Sequence, residues 1–283
     1  QSASGNRKNF LQSALKVMFT QMQATVGMKL FGEKAVAAMI KELKQLEFGP
    51  MPGKRVIAPI NPDILSLAQK KQALNAINLI KEKWDGTLKG RTCADGSRQR
   101  QYLRPDESVS SPTMSLEAFI VSLVIDAYEK RDIAIFDIPG AYLHALMPEG
   151  KVVLLKLQGY FVEIMCSINP EYTQHVRYKR RCKVLYLQVL RAIYGCIESA
   201  LLWYKLYKSV LEKKGFVLND YDFCIANKMI NGKQCTICWY IDDNKVSHVD
   251  IKVVDQVLEM IKGYFGDIKI TCGKKHSFLG MHF

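Results

Sequence analysis

The sequence predicts an α+β fold, because helical and strand patterns follow one another without the strict alternation of a doubly wound sheet. Apolar positions recur at helical spacing in some stretches and alternate in others. Apolar residues make up 48% and charged residues 24% of the 283 positions, the balance of an ordinary folded chain and not of a disordered one. No internal repeat is present.

Residues 1–48 read as helices. Phe10, Leu11, Ala14, Leu15, Met18 and Phe19 fall at helical spacing, as do Val36, Met39, Ile40, Leu43 and Leu46. Gly49, Pro50, Pro52 and Gly53 break the chain, so a helical segment over 1–50 precedes a main unit over 51–283. A further helix is expected from Ile64 to Lys81. TLKGRTCADGSRQRQYL reads as strand, turn at Asp95-Gly96 and second strand. Lys89, Arg91, Arg98, Arg100 and Arg104 crowd it. Residues 113–129 read as a buried helix capped by Ser110 or Ser111, with Pro112 near its first turn.

Apolar strand runs follow at Ile133 to Phe136, Val152 to Leu157 and Val184 to Val189. A helix is expected from Glu198 to Lys214, with Gly215 as its stop. ICWYIDDNKVSHV reads strand, turn, strand. A last helix, Val253 to Phe265, leads into a hairpin with Gly273 at its turn.

Lys and Arg number 40 against 27 Asp and Glu, a formal net charge of +13, which favours polyanionic partners such as nucleic acid. The eight cysteines are scattered through apolar runs and form no secreted disulfide framework. Cys235 and Cys238 make a CxxC with no second ligand pair, so they read as buried strand residues and not as a zinc site. The apolar stretch from Ala118 to Ile125 is too short to span a bilayer, and QSASGNRKNF lacks a signal-peptide core. An intracellular protein without a membrane partner is expected.

Carboxylates stand where a core would not want them. Asp137 closes the run IAIF, and Asp242 and Asp243 follow ICWYI. Strand alternation puts Cys238, Tyr240 and Asp242 on one face. Acids crowded at a turn repel each other and favour protonation, a difficulty that a divalent cation removes. Oxygen ligands completed by water and phosphate suit magnesium. Three such acids at the ends of two apolar strands, in a basic chain, match two-metal phosphoryl transfer.

The same residues carry a family resemblance. YIDD, Tyr240 to Asp243, resembles the signature of reverse transcriptases. FDIPGAYLHA, Phe136 to Ala145, is similar to their first catalytic motif. RAIYGCIESALLWY, Arg191 to Tyr204, resembles the segment written ALYGLKQAPRAWY in copia-type retrotransposons, and KGRTCADG, Lys89 to Gly96, resembles that family's KARLVARG. FLG, Phe278 to Gly280, fits its primer-contacting hairpin. The motifs stand in the family's order over roughly residues 35–283.

The resemblance implies a right-hand polymerase: fingers over about 51–130 and 146–190, and a palm over about 131–145 and 191–283. An antiparallel palm sheet would be backed by helices, with the thumb largely absent. It implies an RNA-directed DNA polymerase that takes an RNA template, a DNA primer and deoxynucleoside triphosphates with two Mg2+ ions, Mn2+ being possible. Asp137, Asp242 and Asp243 map onto the metal-binding carboxylates. Tyr142 maps onto the aromatic under the incoming sugar, where a ring would collide with a ribose 2′-hydroxyl. Lys89 and Arg91 are candidate triphosphate contacts. Gly195, Tyr240, Phe278 and Gly280 are assigned to template or primer. The family implies an element polyprotein working in a cytoplasmic particle or the nucleus.

Departures stand out. LKQAPR becomes CIESALL at 196–202, which removes a Lys and an Arg and brings Glu198 near the expected template path. Asp95 replaces a usual cation, and His144 replaces a frequent Asn and is assigned no role. These changes leave two rivals in view: a domesticated or decayed domain that binds nucleic acid without turnover, and a template-independent nucleotidyltransferase.

Overall fold

A computed structural model describes residues 21–83, 85–102 and 109–283. The helical pattern over Phe10 to Phe19 and the basic Arg104 lie outside the described residues. The described chain begins with β1 (Gln21–Gln23), α1 (Ala24–Phe31) and α2 (Glu33–Phe48), with Gly32 at positive φ between the helices. The apolar stripe of α2 is the expected one: Met39, Leu43 and Leu46 are buried. Next come β2 (Ile57–Pro59), α3 (Leu67–Gln72), β3 (Leu74–Glu82) and β4 (Leu88–Ala94).

Here the structure corrects two expectations. No single helix spans Ile64 to Lys81. α3 starts at a capping box formed by Ser66 and Gln69 and ends at Gln72. LNAINLIKE then forms β3, because pairing with β1, β4 and β6 outweighs a short helical pattern. The hairpin of β4 is made with β3 before it, through register pairs such as Lys81 with Lys89. Residues Gly96–Tyr102 form a 3-10 turn where a second strand was expected.

α4 (Leu116–Tyr128) is capped by Ser115, whose hydroxyl accepts from the Ala118 amide at 3.2 Å, and not by Ser110 or Ser111. It is not buried all round: Phe119, Ser122 and Asp126 face inward while Ile120, Val121 and Val124 are exposed. β5 (Asp132–Asp137), β6 (Val153–Gln158), α5 (Tyr160–Ile168), β7 (Arg177–Lys179), β8 (Cys182–Val189) and α6 (Ser199–Lys213) follow. The chain continues through β9 (Val217–Leu218), β10 (Ile225–Ile230), β11 (Lys233–Tyr240), β12 (Asp243–His248), α7 (Ile251–Phe265), β13 (Lys269–Cys272), β14 (Ser277–Phe278) and β15 (Met281–His282).

Two large sheets and a terminal two-stranded hairpin organise these elements, so the chain is a mixed helix-and-sheet protein. A seven-stranded sheet runs β1-β3-β6-β8-β2, with β4 on β3 and β7 on β8. Its core includes Leu155, Leu157, Leu185 and Leu187 with Met39 and Leu43 of α2. A six-stranded antiparallel sheet runs β13-β5-β12-β11-β10-β9. Its core is closed by α6 and α7 through Trp203, Tyr207, Val257 and Ile261, with the buried Cys235 and Cys238 in β11. The terminal hairpin turns at Leu279-Gly280 and not at Gly273, because β13 pairs with β5. Among the described residues, no helix is long and apolar enough to cross a membrane.

Candidate active site

β5 and β12 are antiparallel neighbours, and their register sets Asp137 opposite Asp243. β11 and β12 form a hairpin in which Tyr240 pairs with Asp243, leaving Ile241 and Asp242 as its two-residue turn. The three acids therefore share one end of the six-stranded sheet. Ile241 has φ of 60°, an uncommon backbone for a β-branched residue. This turn ends the alternation that the sequence pattern carried to residue 242. Three hydrogen bonds pin it. The Trp203 indole donates to the Ile241 carbonyl at 2.7 Å, and the Ile138 amide and Asn244 side chain donate to the Asp242 carbonyl at 3.2 and 2.6 Å.

The electrostatics follow from the crowding. Burial raises the Asp242 carboxyl above the ordinary range and Asp137 adds to this, while Lys89 and Arg91 pull it back. Burial and then the charges of Asp242 and Asp137 raise Asp243. Lys89 is depressed by burial and by Arg91 and Lys269, and held up by Glu42 and Asp137. β4 thus brings both candidate triphosphate cations into the field of the acids from the other sheet. Burial raises Tyr142, as do the charges of Asp242 and Tyr240. Its ring lies 4.8 Å from that of Tyr194, and Arg91 sits 5.7 Å over the Tyr194 ring.

Sequence reasoning gave no role to three neighbours. Lys269 pairs with Asp137 across β13 and β5, its ammonium 3.6 Å from the carboxylate. Tyr194 joins the aromatic pair, and Glu42, raised by burial, accepts from the Thr92 amide at 2.9 Å. Tyr194 lies inside a motif already quoted. Lys269 and Glu42 carry no local signal, because the sheet order brings the first here and the packing of α2 on β4 the second.

The other candidates are distributed differently. Gly195 has φ of 89°, and a Cβ there would lie 1.9 Å from the Ala94 carbonyl oxygen, so main chain fills that space. Phe278 is buried and stacked on Phe119 at 4.8 Å, which leaves Leu279 and Gly280 as the outer part of its hairpin. Tyr240 is half-buried beside the acids. Glu198 turns inward, with Lys151 at 3.5 Å and the Gln99 amide at 3.3 Å, so its charge is compensated inside the fold.

Among the described residues, no three carboxylate, imidazole or thiolate groups converge into a preassembled metal cage. The donor set still fits magnesium, which is commonly held by one or two carboxylates with water and substrate phosphates. The raised acids of the turn are groups whose repulsion a cation would relieve. A search of curated proteins returned no match. A family model described as reverse transcriptase (RNA-dependent DNA polymerase) matches residues 63–283, more than three quarters of the chain and all three acids. On that match, the chain belongs to the reverse transcriptase (RNA-dependent DNA polymerase) family.

Proposed function

We propose that the chain is the RNA-directed DNA polymerase of a copia-type retrotransposon, extending a primer 3′-hydroxyl with deoxynucleoside triphosphates on an RNA template. One observation carries this reading. Asp137 and Asp243 are cross-strand partners, Asp242 occupies the adjoining turn, and Lys89 and Arg91 act on it electrostatically. The ordered motifs from Lys89 to Gly280 support the copia type. In this reading the six-stranded sheet is the palm and the seven-stranded sheet belongs to the fingers.

Asp137 and Asp242 would hold two magnesium ions, with Asp243 assisting; manganese suits the same oxygen donors. Held there, such ions would supply activation of the attacking hydroxyl and neutralisation of charge on the leaving phosphate. Lys89 and Arg91 hold the triphosphate by charge. The Tyr142 ring, braced by Tyr194, lies under the incoming sugar and leaves no room for a 2′-hydroxyl. An O–P bond forms at the α-phosphorus, the bond to the β-phosphate oxygen breaks, and pyrophosphate leaves. Positioning and charge complementarity supply most of the rate.

The test is primer extension on an RNA template with magnesium, for the wild-type chain and Asp242→Asn, repeated on a longer chain carrying the native downstream residues. Extension by wild type alone supports the reading. Hybrid binding with no addition by either length would favour the second reading, a decayed domain that binds without turnover. That reading is favoured by residues 196–202, which carry no cation. Addition without a template would point instead to a template-independent nucleotidyltransferase.

A further inference from the structure

The β7–β8 hairpin is built against its own turn chemistry. Lys179 pairs with Cys182, so Arg180 and Arg181 form the two-residue loop. Both have positive φ, 49° and 64°, as a type I′ turn requires. Asn-Gly suits that geometry; consecutive arginines strain it, and strain of this kind marks functional segments. Tyr178, Lys179, Arg180 and Arg181 are all exposed. The base of the hairpin is tied down, with Arg177 paired to Asp63 at 2.6 Å and Lys183 to Glu163 at 2.8 Å. The tip cations have no ion-pair partner among the described residues.

The tip continues into a basic strip. β6 and β7 flank β8, and their registers put Lys156 and Lys179 on the same face of the sheet. Lys156 is depressed by burial and by the charges of Lys179 and Arg98. Farther along this face a cavity of about 140 Å3 is lined by Gln69, Gln99, Tyr102 and Lys151. Gln99 also accepts from the Ile197 amide at 2.9 Å, in the segment that follows Tyr194 and Gly195. Gln99 thus links the cavity wall to the segment after Tyr194, and Lys156 lies beside the exposed tip with its aromatic and three cations.

We propose that the Tyr178–Arg181 hairpin, with Lys156 beside it, binds the unpaired 5′ part of the template strand. Backbone charge meets the arginines and Lys179, and a base stacks on Tyr178, the pairing of groups that holds single strands without sequence preference. This proposal rests on the polymerase reading.

The test is fluorescence anisotropy on RNA–DNA hybrids, one blunt and one with a 5′ RNA overhang of about eight nucleotides. The variant is Arg180→Asn with Arg181→Gly, which removes charge while relaxing the turn, so its Tm should hold or rise. Wild type should favour the overhang hybrid by about tenfold, and the variant should lose most of that preference. Its salt slope should fall by about 1.4, from two lost contacts at about 0.7 each. Tyr178→Ala should weaken overhang binding without changing the salt slope. Unchanged overhang preference in the arginine variant, equal loss on the blunt hybrid, or displacement by polyglutamate as readily as by RNA would each overturn the proposal. Binding needs no turnover, so absent primer extension with overhang-specific loss intact would overturn only the polymerase reading.

Discussion

The indole of Trp203 donates a 2.7 Å hydrogen bond to the carbonyl of Ile241. The turn that carries Asp242 is therefore hung from a buried ring of α6, and a β-branched residue is held at φ of 60°. A backbone of this kind costs roughly 1–3 kcal/mol and persists only when its surroundings impose it. Ile241→Gly should keep or raise Tm while slowing primer extension. A large fall in Tm would show that side-chain packing, and not turn geometry, is what Ile241 supplies.

Removing one acid should separate stability from activity. Asp242 and Asp243 are raised by burial and then by neighbouring carboxylates. With folded values above the unfolded ones, the cation-free protein gains stability as pH falls through the raised values, and the gain levels off at the ordinary carboxylate range. Asp242→Asn should reduce this slope and raise Tm near pH 7 by about 2 °C without magnesium. Magnesium should raise Tm in the wild type and not in the variant. Extension should fall at least about a hundredfold. An unaltered magnesium response would remove Asp242 from the metal site.

Tyr142 should govern sugar selection. Tyr142→Ala should raise ribonucleotide use relative to deoxynucleotide use by at least about tenfold, while Tyr142→Phe, which keeps the ring, should not. Equal discrimination by all three proteins would sink this role.

His144 is buried, and burial, followed by the charge of Lys54, lowers its imidazole to about 4. A base depressed in the folded state stabilises the fold above the ordinary value of about 6.5, and that stability is lost as pH falls from there toward 4. The loss should reach roughly 3–3.5 kcal/mol at most. His144→Phe, beside the Phe265 ring, should flatten denaturant midpoints across this window.

Lys245 and Asp126 form a fully buried ion pair, and Ser247 donates to the same carboxylate at 2.6 Å. Lys245→Met alone leaves Asp126 buried with the Ser247 hydroxyl and the Arg131 guanidinium, 3.8 Å away, and should cost about 3 kcal/mol, the lower end for a broken buried pair. Adding Asp126→Leu should recover most of it. A double variant as unstable as the single would mean that the pair does more than balance charge.

The acids were legible because each closes an apolar run, and a strand end is readable from its own residues. Asp137 ends β5, Asp242 stands in the turn that follows β11, and Asp243 opens β12, where those runs stop. Lys269 was not legible, because its partner Asp137 is set by β13 joining the sheet beside β5. Lys245 lies 119 residues from Asp126, and within NKVSHV nothing announces a buried cation. The helix expected over Ile64 to Lys81 is right for α3 alone, because the strand that follows takes its conformation from three partner strands. Gly195 was read for an approaching template, when the group that approaches it is the Ala94 carbonyl.

That close approach works as a ruler. The Ala94 amide donates to the Tyr194 carbonyl at 2.7 Å, and a Cβ on Gly96 would strike the Gly195 carbonyl oxygen at 2.1 Å. Arg91 stands three residues before this seam, and Tyr194, which braces Tyr142, forms its other side. The spacing between the Arg91 and Tyr194 backbones is thus set in main-chain units. Side-chain motion cannot lengthen that backbone spacing, and β4 cannot slide past the segment that follows β8 at this seam without breaking main-chain contact.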